Sequence, residues 1–557
     1  MAIMTGAQIL IESLLKEGVE VMFGYPGGVV LPIFDVLYDS KLKFILTRHE
    51  QGAAHAADGY ARVTGKVGVC LSTSGPGATN LVTGIANAYM DSIPMVAITG
   101  QVKTFLIGND AFQESDVTGI TRSITKHNYL VKDVTELAKT IREAFYIAST
   151  GRPGPVVIDL PVDVQQARTE FIWPKTVEIR SYQPTLEGHA GQIKKAAKLI
   201  ERSTRPVIYV GGGIITSGAS GELMAMAEKI QSPVTMTFMG LGSFPMTHPL
   251  CLGMLGMHGT AYANHAIMGS DLILAVGARF DDRVTGRIDA FAPRAKIIHV
   301  DIDPTSISKN IRVDVPIVGD AKKVLSEIFR FIRKSPDTGK WLYTVEKWKQ
   351  DHPLFYKRDE KLRPQYVIEQ IYEATNGEAV IATEVGQNQM WSCQWYKHSI
   401  PRHWISSGGL GTMGFGFPAA IGAQVGAPGK IVFDIAGDGS IQMNIQELST
   451  AVNNKLPVKI AILNNGYLGM VRQWQELFYK KRYSSTPLKN PDFVKLAEAY
   501  GAKGIRIAKK EDVAAAIKEA IATPNVVVMD FVVEPEENVY PMVPAGEALN
   551  RMTDGMA

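Results

Sequence analysis

The sequence is poor in cysteine, nearly balanced in charge and without a long apolar run. Cys70, Cys251 and Cys393 are the only 3 cysteines in 557 residues, and they show neither a disulfide framework nor metal-ligand spacing. The 58 Lys and Arg residues face 55 Asp and Glu, which gives no reason to expect nucleic acid or an anionic membrane as a partner. No apolar stretch approaches the length of a membrane span. We therefore expect a soluble protein of a reducing compartment, the cytoplasm.

The first residues favour a folded element over a targeting segment. Thr5 and Gln8 form a capping-box pattern, and Leu10, Ile11 and Leu14 continue it as an apolar helical stripe. A basic segment followed by an apolar one, as in a secretory signal, does not precede this helix. We expect the fold to start at once.

Short apolar strands alternate with longer amphipathic helices in three successive rounds. This pattern is typical of parallel sheets covered on both faces. We predict three doubly wound α/β domains at residues 1–165, 190–335 and 364–544, a size that fits single hydrophobic cores. Residues 163–189 and 335–363 lack periodicity and are expected to connect them. The predicted strands include residues 67–71, 95–99, 156–160, 207–210, 272–276, 297–300, 379–383, 431–435, 458–463 and 526–531.

The most informative segment is a strand-helix-strand unit with a polar motif after each strand. The strand at 431–435 leads into Gly437, Asp438, Gly439 and Ser440, a helix is predicted at 441–453, and the strand at 458–463 leads into Asn464 and Asn465. Parallel neighbours would place Asp438 and Asn465 at one sheet edge, where two oxygen ligands suit Mg²⁺. The glycines and the following helix N-terminus would admit a diphosphate. Alone, either motif would be an ordinary turn.

Together, at this spacing, the two motifs closely resemble those of thiamine-diphosphate-dependent enzymes. The resemblance implies the thiamine-diphosphate-binding fold with a Rossmann-like middle domain, and Mg²⁺ held by Asp438, Asn465 and the backbone carbonyl of Tyr467. It also implies a wedge under the cofactor from Met413. Further expected cofactor contacts are Gly386, Gln387, Asn388, Gly437, Gly439 and Ser440.

A competing motif is present at Gly409, Gly411 and Gly414, which fit the G-x-G-x-x-G pattern of dinucleotide sites. The preceding residues 404–407 are poor in strand character, and the glycine run that follows is too dense to open a helix cleanly. A nicotinamide site is therefore disfavoured, and the thiamine resemblance explains the segment through Met413.

Thiamine chemistry requires a poorly solvated carboxylate that hydrogen-bonds the aminopyrimidine ring of the cofactor. Glu50 lies among small residues at an expected strand-to-helix turn, and residues 48–62 resemble the catalytic-glutamate segment of the family. An ordinary acidic residue of a first helical turn is the alternative. His49 and His55 are as well explained by capping or packing. Glu50 and Asp438 lie in different domains, and the resemblance implies that different subunits supply them, in a homodimer or tetramer.

Two loops resemble the acetolactate (acetohydroxyacid) synthase branch of the family. In residues 109–114 the resemblance places Phe112 and Gln113 against substrate and cofactor, and in residues 469–475 it places Met470 and Trp474 in the substrate pocket. Phe112 and Trp474 could otherwise be core aromatics. Val162 departs from the branch, which has lysine there in many members.

The middle domain carries a dense charged segment at residues 279–286 that resembles the FAD-binding members of this branch. Arg283 resembles the arginine that meets the carboxylate of the second 2-oxo acid, and a solvated ion-pair network is the alternative. The residues expected to hold FAD are Gly211, Gly212, Gly213, Arg279, Asp301 and Asp320.

The resemblance implies decarboxylation of pyruvate and ligation of the two-carbon unit to a second pyruvate or to 2-oxobutanoate. This is the first common step of branched-chain amino-acid biosynthesis, leading to isoleucine and valine, and a small regulatory subunit is a further expected partner. The alternatives are an FAD-dependent pyruvate oxidase, a simple 2-oxo acid decarboxylase and a non-catalytic relative.

Overall fold

The computed structural model describes residues 2–553 and contains three parallel sheets of six strands each, with helices on their faces. A small antiparallel ribbon pairs Ile3–Thr5 with Arg168–Glu170. The predicted fold class, three doubly wound α/β units, is confirmed.

The N-terminal unit has strand order β3-β2-β4-β5-β7-β6. Its strands, with the two of the ribbon, are β1 (Ile3–Thr5), β2 (Val21–Gly24), β3 (Lys43–Leu46), β4 (Gly68–Ser72), β5 (Met95–Gln101), β6 (His127–Leu130), β7 (Pro155–Pro161) and β8 (Arg168–Glu170). Its helices are α1 (Gly6–Lys16), α2 (Leu31–Tyr38), α3 (Glu50–Thr64), α4 (Pro76–Asn80), α5 (Val82–Asp91), α6 (Val117–Thr121), α7 (Leu137–Ser149) and α8 (Val162–Gln166).

The middle unit has strand order β11-β10-β9-β12-β13-β14. Its strands are β9 (Pro206–Val210), β10 (Val234–Met236), β11 (Cys251–Met254), β12 (Leu272–Val276), β13 (Lys296–Asp301) and β14 (Val315–Val318). Its helices are α9 (Ala190–Arg202), α10 (Gly212–Thr216), α11 (Ser220–Ile230), α12 (Ala261–Gly269), α13 (Asp282–Thr285), α14 (Ala321–Phe331) and α15 (Gly339–Asp351).

The C-terminal unit has strand order β16-β15-β17-β18-β20-β19. Its strands are β15 (Val380–Thr383), β16 (Trp404–Ile405), β17 (Val432–Gly437), β18 (Lys459–Asn464), β19 (Lys503–Ile507) and β20 (Val527–Val532). Its helices are α16 (Pro364–Thr375), α17 (Gln387–Trp395), α18 (Gly416–Gly426), α19 (Leu448–Asn453), α20 (Gly469–Phe478), α21 (Phe493–Ala499) and α22 (Val513–Ala522).

Helix caps follow the sequence signals. The capping box of Thr5 and Gln8 is present at the start of α1. The His49 side chain accepts the backbone N–H of Gln51 and caps α3, which is one of the roles left open for it. The buried helix α3 therefore begins at Glu50. It ends at Thr64, and the next residue, Gly65, has the left-handed backbone conformation.

Helices α3 and α18 pack against each other so closely that their backbones are in contact, and they join the N-terminal and C-terminal units. A Cβ on Gly422 would lie 1.8 Å from the carbonyl oxygen of Ala56, and one on Gly59 would lie 2.0 Å from that of Ala419. Side chains at these two glycines are thus sterically excluded, and their absence lets the helices approach closely.

Several local predictions were wrong. Residues 335–363 contain the helix α15, whose buried side chains are few because much of its surface is charged. The expected connection at 163–189 begins with α8 and β8, since β8 pairs with β1. The helix predicted at 441–453 is broken into two short 3-10 turns, Ile441–Met443 and Ile445–Glu447, before α19.

Two predictions around the glycine motif at 409–414 were also wrong: that residues 404–407 are poor in strand character, and that the glycine run does not open a helix cleanly. Residues Trp404–Ile405 do form a short edge strand, β16, and the glycine run does lead into α18 at Gly416. All three cysteines are buried and unpaired. Within residues 2–553, no helix combines the length and apolar character needed to cross a membrane.

Candidate active site

The polar motifs after β17 and β18 meet at one edge of the C-terminal sheet. The two strands are parallel neighbours, with Gly437 opposite Leu463, so Asp438 and Asn465 emerge side by side. The Asp438 carboxylate is buried and its Oδ2 accepts the Gly466 N–H at 3.0 Å. Burial raises the pKa of Asp438 to about 6 because it penalises the charged form. A cation at this edge would favour that charged form.

Asn465 and Tyr467 complete an oxygen-rich turn beside Asp438. The Oδ1 of Asn465 accepts the Tyr467 N–H at 3.0 Å, so the turn closes on itself. The predicted ligand set is a carboxylate, an amide oxygen and a backbone carbonyl, all hard oxygen donors as Mg²⁺ prefers. These residues fit a magnesium ion that also binds a diphosphate.

Asn490 is a site neighbour that the sequence did not reveal. Its Nδ2 donates to the Asp438 Oδ2 at 2.6 Å and to the Asn464 Oδ1 at 3.1 Å. Asn490 lies in an irregular segment before α21, and no local motif marks it. It holds the carboxylate in place from outside the ligand set.

The predicted cofactor contacts Gly386, Gln387 and Asn388 form the start of α17, with Gly386 at its N-cap, and lie against the same edge. Gln387 donates from Nε2 to the Gln473 Oε1 at 2.9 Å, and its own Oε1 accepts from Asn465 at 3.2 Å. Asn388 donates to the carbonyls of Glu384 and Ile435, both at 2.8 Å, and ties the ends of β15 and β17 together. Ser440 donates to the Gly437 carbonyl at 3.3 Å and closes the turn that carries Asp438.

A cavity of about 1080 Å³ opens between the three units. Its size exceeds the needs of a small substrate and is at the upper limit for a cofactor site. Predicted site residues of the middle and C-terminal units line it together: Gly211, Gly212, Gly213, Arg279, Arg283, Asp301, Asp320, Gly386, Met413, Met470 and Trp474.

Some of these residues also have structural roles. A Cβ on Gly211 would lie 2.2 Å from the Gly277 carbonyl oxygen, so the turn after β9 packs directly on the end of β12. Asp320 caps α14 by accepting the Lys323 N–H at 3.1 Å. Asp301 accepts the Asp303 N–H at 2.9 Å, and burial raises the pKa of Asp301 to about 6. Among these aspartates, Asp301 combines a buried carboxyl with a place in the cavity wall.

The expected substrate residues reach the cavity wall from two units, the middle and the C-terminal one. The Arg283 side chain, on α13, is 62% exposed. Met470 and Trp474 project from successive turns of α20, and the Trp474 ring lies 5.3 Å from that of Phe478. An exposed guanidinium thus shares the cavity with an aromatic wall.

Glu50, Phe112 and Gln113 are not among the residues that line this cavity. Glu50 is 8% exposed, and its Oε2 accepts a hydrogen bond from Asn80 Nδ2 at 2.9 Å within the N-terminal unit. Phe112 is 88% exposed and Gln113 has a left-handed φ of 59°. The structure therefore brings most predicted residues to the cavity or to the sheet edge of Asp438 and Asn465, and leaves these three on the N-terminal unit.

Three family models match the chain in the order of its sheets. They are the N-terminal TPP binding domain of thiamine pyrophosphate enzymes at residues 4–120, their central domain at 193–328 and their C-terminal TPP binding domain at 384–531. The unit boundaries at 1–165, 190–335 and 364–544 stay a prediction.

Curated relatives align over nearly the full length. The chain is 51% identical to an acetolactate synthase large subunit of Buchnera aphidicola, and 48% identical to the acetolactate synthase isozyme 3 large subunit of Escherichia coli, each over 99% of both proteins. It is 52% identical to a Mycobacterium bovis acetolactate synthase over 98% of this chain and 90% of the relative. The chain belongs to the acetolactate synthase family of thiamine-pyrophosphate-dependent enzymes.

Proposed function

We propose that the chain is the catalytic subunit of an acetolactate synthase, which decarboxylates pyruvate and joins the two-carbon unit to a second 2-oxo acid. The observation that carries the proposal is identity of about half the residues over the whole chain to relatives with that name. The second substrate is pyruvate or 2-oxobutanoate, and the reaction is the first common step of isoleucine and valine biosynthesis.

Thiamine diphosphate, when bound, supplies an acidic ring carbon and a cationic ring that accepts electrons during decarboxylation. The role of Glu50 is to hold a proton between its carboxylate and a ring nitrogen of the cofactor, which favours the basic form of the neighbouring amine. Its burial and its hydrogen bond from Asn80 support this role, because both restrict the carboxylate to one orientation.

The diphosphate end is assigned to the edge where Asp438, Asn465 and the Tyr467 carbonyl would hold Mg²⁺. Gly437, Gly439 and Ser440 leave the backbone accessible there, and Gly386, Gln387 and Asn388 flank it. Met413 is assigned beneath the cofactor as a wedge, which its place in the cavity wall supports.

The second 2-oxo acid is assigned to Arg283, whose guanidinium would pair with its carboxylate. Met470 and Trp474 would contact its alkyl group and make the site dry, as ligation requires. Phe112 and Gln113 are assigned to the substrate and the cofactor. They and Glu50, which meets the cofactor, would come from the N-terminal unit of a second subunit. This supports a homodimer or tetramer, and the large-subunit names of the relatives support a small regulatory subunit.

FAD is assigned to the middle unit, in contact with Gly211, Gly212, Gly213, Arg279, Asp301 and Asp320. The volume of the cavity and the glycine turn after β9 support a dinucleotide of this size. The flavin would have no net redox role in the reaction.

We place the enzyme in the cytoplasm.

The test is to incubate the purified protein with pyruvate, thiamine diphosphate, Mg²⁺ and FAD, to identify the product and to record oxygen. Acetolactate without oxygen uptake is expected. Acetaldehyde would identify a simple decarboxylase instead, and oxygen consumption with acetyl products would identify a pyruvate oxidase. Bound cofactor without turnover would identify a non-catalytic relative.

A further inference from the structure

The segment of residues 406–417 connects β16 to α18 and carries Met413, so we call it the Met413 segment. It contributes Ser407, Gly408, Gly411 and Met413 to the wall of the large cavity. Gly411 and Gly414, on either side of Met413, have left-handed φ values of 70° and 84°. A stretch so rich in glycine has little rigidity of its own and must be held by its surroundings.

The N-terminal unit holds the first half of this segment through Asp91. The Asp91 side chain is fully buried, and its two oxygens accept the backbone N–H groups of Gly409 at 2.7 Å and Gly408 at 3.1 Å. Arg62 pairs with Asp91 at 2.9 Å and donates to the Ser406 carbonyl at 2.9 Å. The Asp91 carboxylate is thus oriented by Arg62 and bonded to the backbone of the segment.

The C-terminal unit holds the second half through Glu384. The Glu384 side chain is fully buried, and its two oxygens accept the N–H groups of Gly414 at 2.7 Å and Phe417 at 3.1 Å. The adjacent Asp434 carboxyl is also buried and has no hydrogen-bond partner. Burial, and then the charge of Glu384, hold the pKa of Asp434 far above its usual range. Burial also raises the pKa of Glu384 to about 7, while the backbone N–H groups of the segment lower it. The acceptor role of Glu384 follows from the geometry, in which each of its oxygens accepts a backbone N–H group.

We propose that Asp91 and Glu384 are positioning residues. They act from two different domains and fix the position of the Met413 backbone in the cavity wall. Four backbone N–H groups, two on each side of Met413, are held by two buried carboxylates, which are stronger acceptors than neutral groups. The inference rests on the proposed function, in which Met413 lies under the cofactor. Asp91 belongs to the cavity wall, but its side chain is fully buried beneath the segment. The inference adds that the rigidity of the wedge comes from buried carboxylates bonded to the backbone.

Asp91→Asn and Glu384→Gln test the proposal because each keeps the side-chain shape and removes one of two acceptor oxygens. Asp271→Asn is the matched control: Asp271 also accepts two backbone N–H groups, from Thr204 and Arg205, but lies in the middle unit and does not line the cavity. The first readout is amide hydrogen exchange of residues 406–417 in protein without cofactor, and the second is a kcat and KM series with pyruvate.

Faster exchange in the Met413 segment is expected in both variants but not in the control. The kcat should fall by about 10- to 100-fold, because a misplacement on the order of 1 Å is that costly, while KM changes much less. Unchanged exchange overturns the anchoring, and faster exchange with wild-type kcat overturns the positioning role. If the wild-type protein makes no acetolactate, the proposed function fails, and the exchange result still decides the anchoring.

Discussion

Asn80 at the end of α4 donates a hydrogen bond of 2.9 Å to the carboxylate of Glu50 at the start of α3. The amide thereby restricts a buried carboxylate that must meet the cofactor in one orientation. Asn80→Ala is expected to lower kcat by about 10-fold, since hydrogen bonds to charged groups contribute about 1.5–3 kcal/mol. Steady-state kinetics at saturating cofactor is the measurement. Thr79→Ala is the control, because the Thr79 hydroxyl bonds only within its own turn, and an equal loss in both variants would contradict the specific role of Asn80.

Glu50→Gln should abolish most turnover while leaving the fold intact. The amide keeps the shape of the side chain but can no longer act as the proton-holding anion, and such groups contribute about 10²- to 10⁴-fold in rate. Acetolactate formation and thermal unfolding are measured together. Glu12→Gln, at a half-buried site on α1 that pairs with Lys16, should change neither. Undiminished turnover of Glu50→Gln would rule out the assignment of this residue.

Asn490→Ala should weaken magnesium binding without removing a proposed ligand. The variant loses one of the two hydrogen bonds to the Asp438 Oδ2 and keeps the one from the Gly466 N–H. The loss of such outer partners costs about 10- to 100-fold in metal affinity. The Mg²⁺ concentration for half-maximal cofactor binding is the measurement. Lys489→Ala, at the exposed neighbouring residue, is the control. Equal Mg²⁺ dependence in both proteins would argue against a cation at this edge.

Gly422→Ala should destabilise the contact between α3 and α18. Its methyl group would lie 1.8 Å from the Ala56 carbonyl oxygen, and overpacking of this kind costs about 1–3 kcal/mol or more. A lower thermal unfolding midpoint is expected. Gly429→Ala has nothing within 4 Å of the new Cβ and should leave the midpoint unchanged. Equal midpoints for the two variants would mean that the helices can separate at little cost.

Asp301→Asn should stabilise the protein without cofactor at alkaline pH. Burial raises the pKa of Asp301 from 3.8 to about 6, so above pH 6 the folded state carries an unfavourable buried charge. Between pH 4 and 6 the folded state keeps a proton on Asp301 that the unfolded state has lost. The free energy of unfolding therefore falls as the pH rises through that window. The gain from asparagine is about 3 kcal/mol at pH 8 and shrinks below pH 6. Thermal melts at pH 5 and pH 8 measure it, and a gain that is the same at both values would contradict it.

The sequence was sufficient for features that depend on local pattern. Ten strands of the sheets were predictable because strands buried on both faces are short apolar runs, whereas β2, β3, β6, β10, β11, β14, β16 and β19 were not predicted. The positions of Asp438 and Asn465 were predicted from their places after such strands. A helix-capping role for His49 was among those that the local sequence suggested. Each of these signals lies within a few residues of the feature it marks.

Features that depend on distant pairs were not predictable. Asp91 meets Gly409 across 318 positions of sequence, and no local signal marks either residue as the other's partner. The helix expected at 441–453 is interrupted where Asn444 donates to the Gly414 carbonyl at 2.6 Å, a tertiary contact that overrides its helical periodicity. The helix α15 escaped prediction because Trp341 and Val345 are its only fully buried side chains.

The glycine contact between α3 and α18 also limits how this protein can be recombined with its relatives. An N-terminal unit taken from another synthase would need a glycine opposite Ala419, and a C-terminal unit would need one opposite Ala56. The two units are thus not independent modules, because each carries half of a steric requirement. Grafts that exchange both helices together should fold, whereas grafts cut between them inherit a clash wherever the donor has a larger residue.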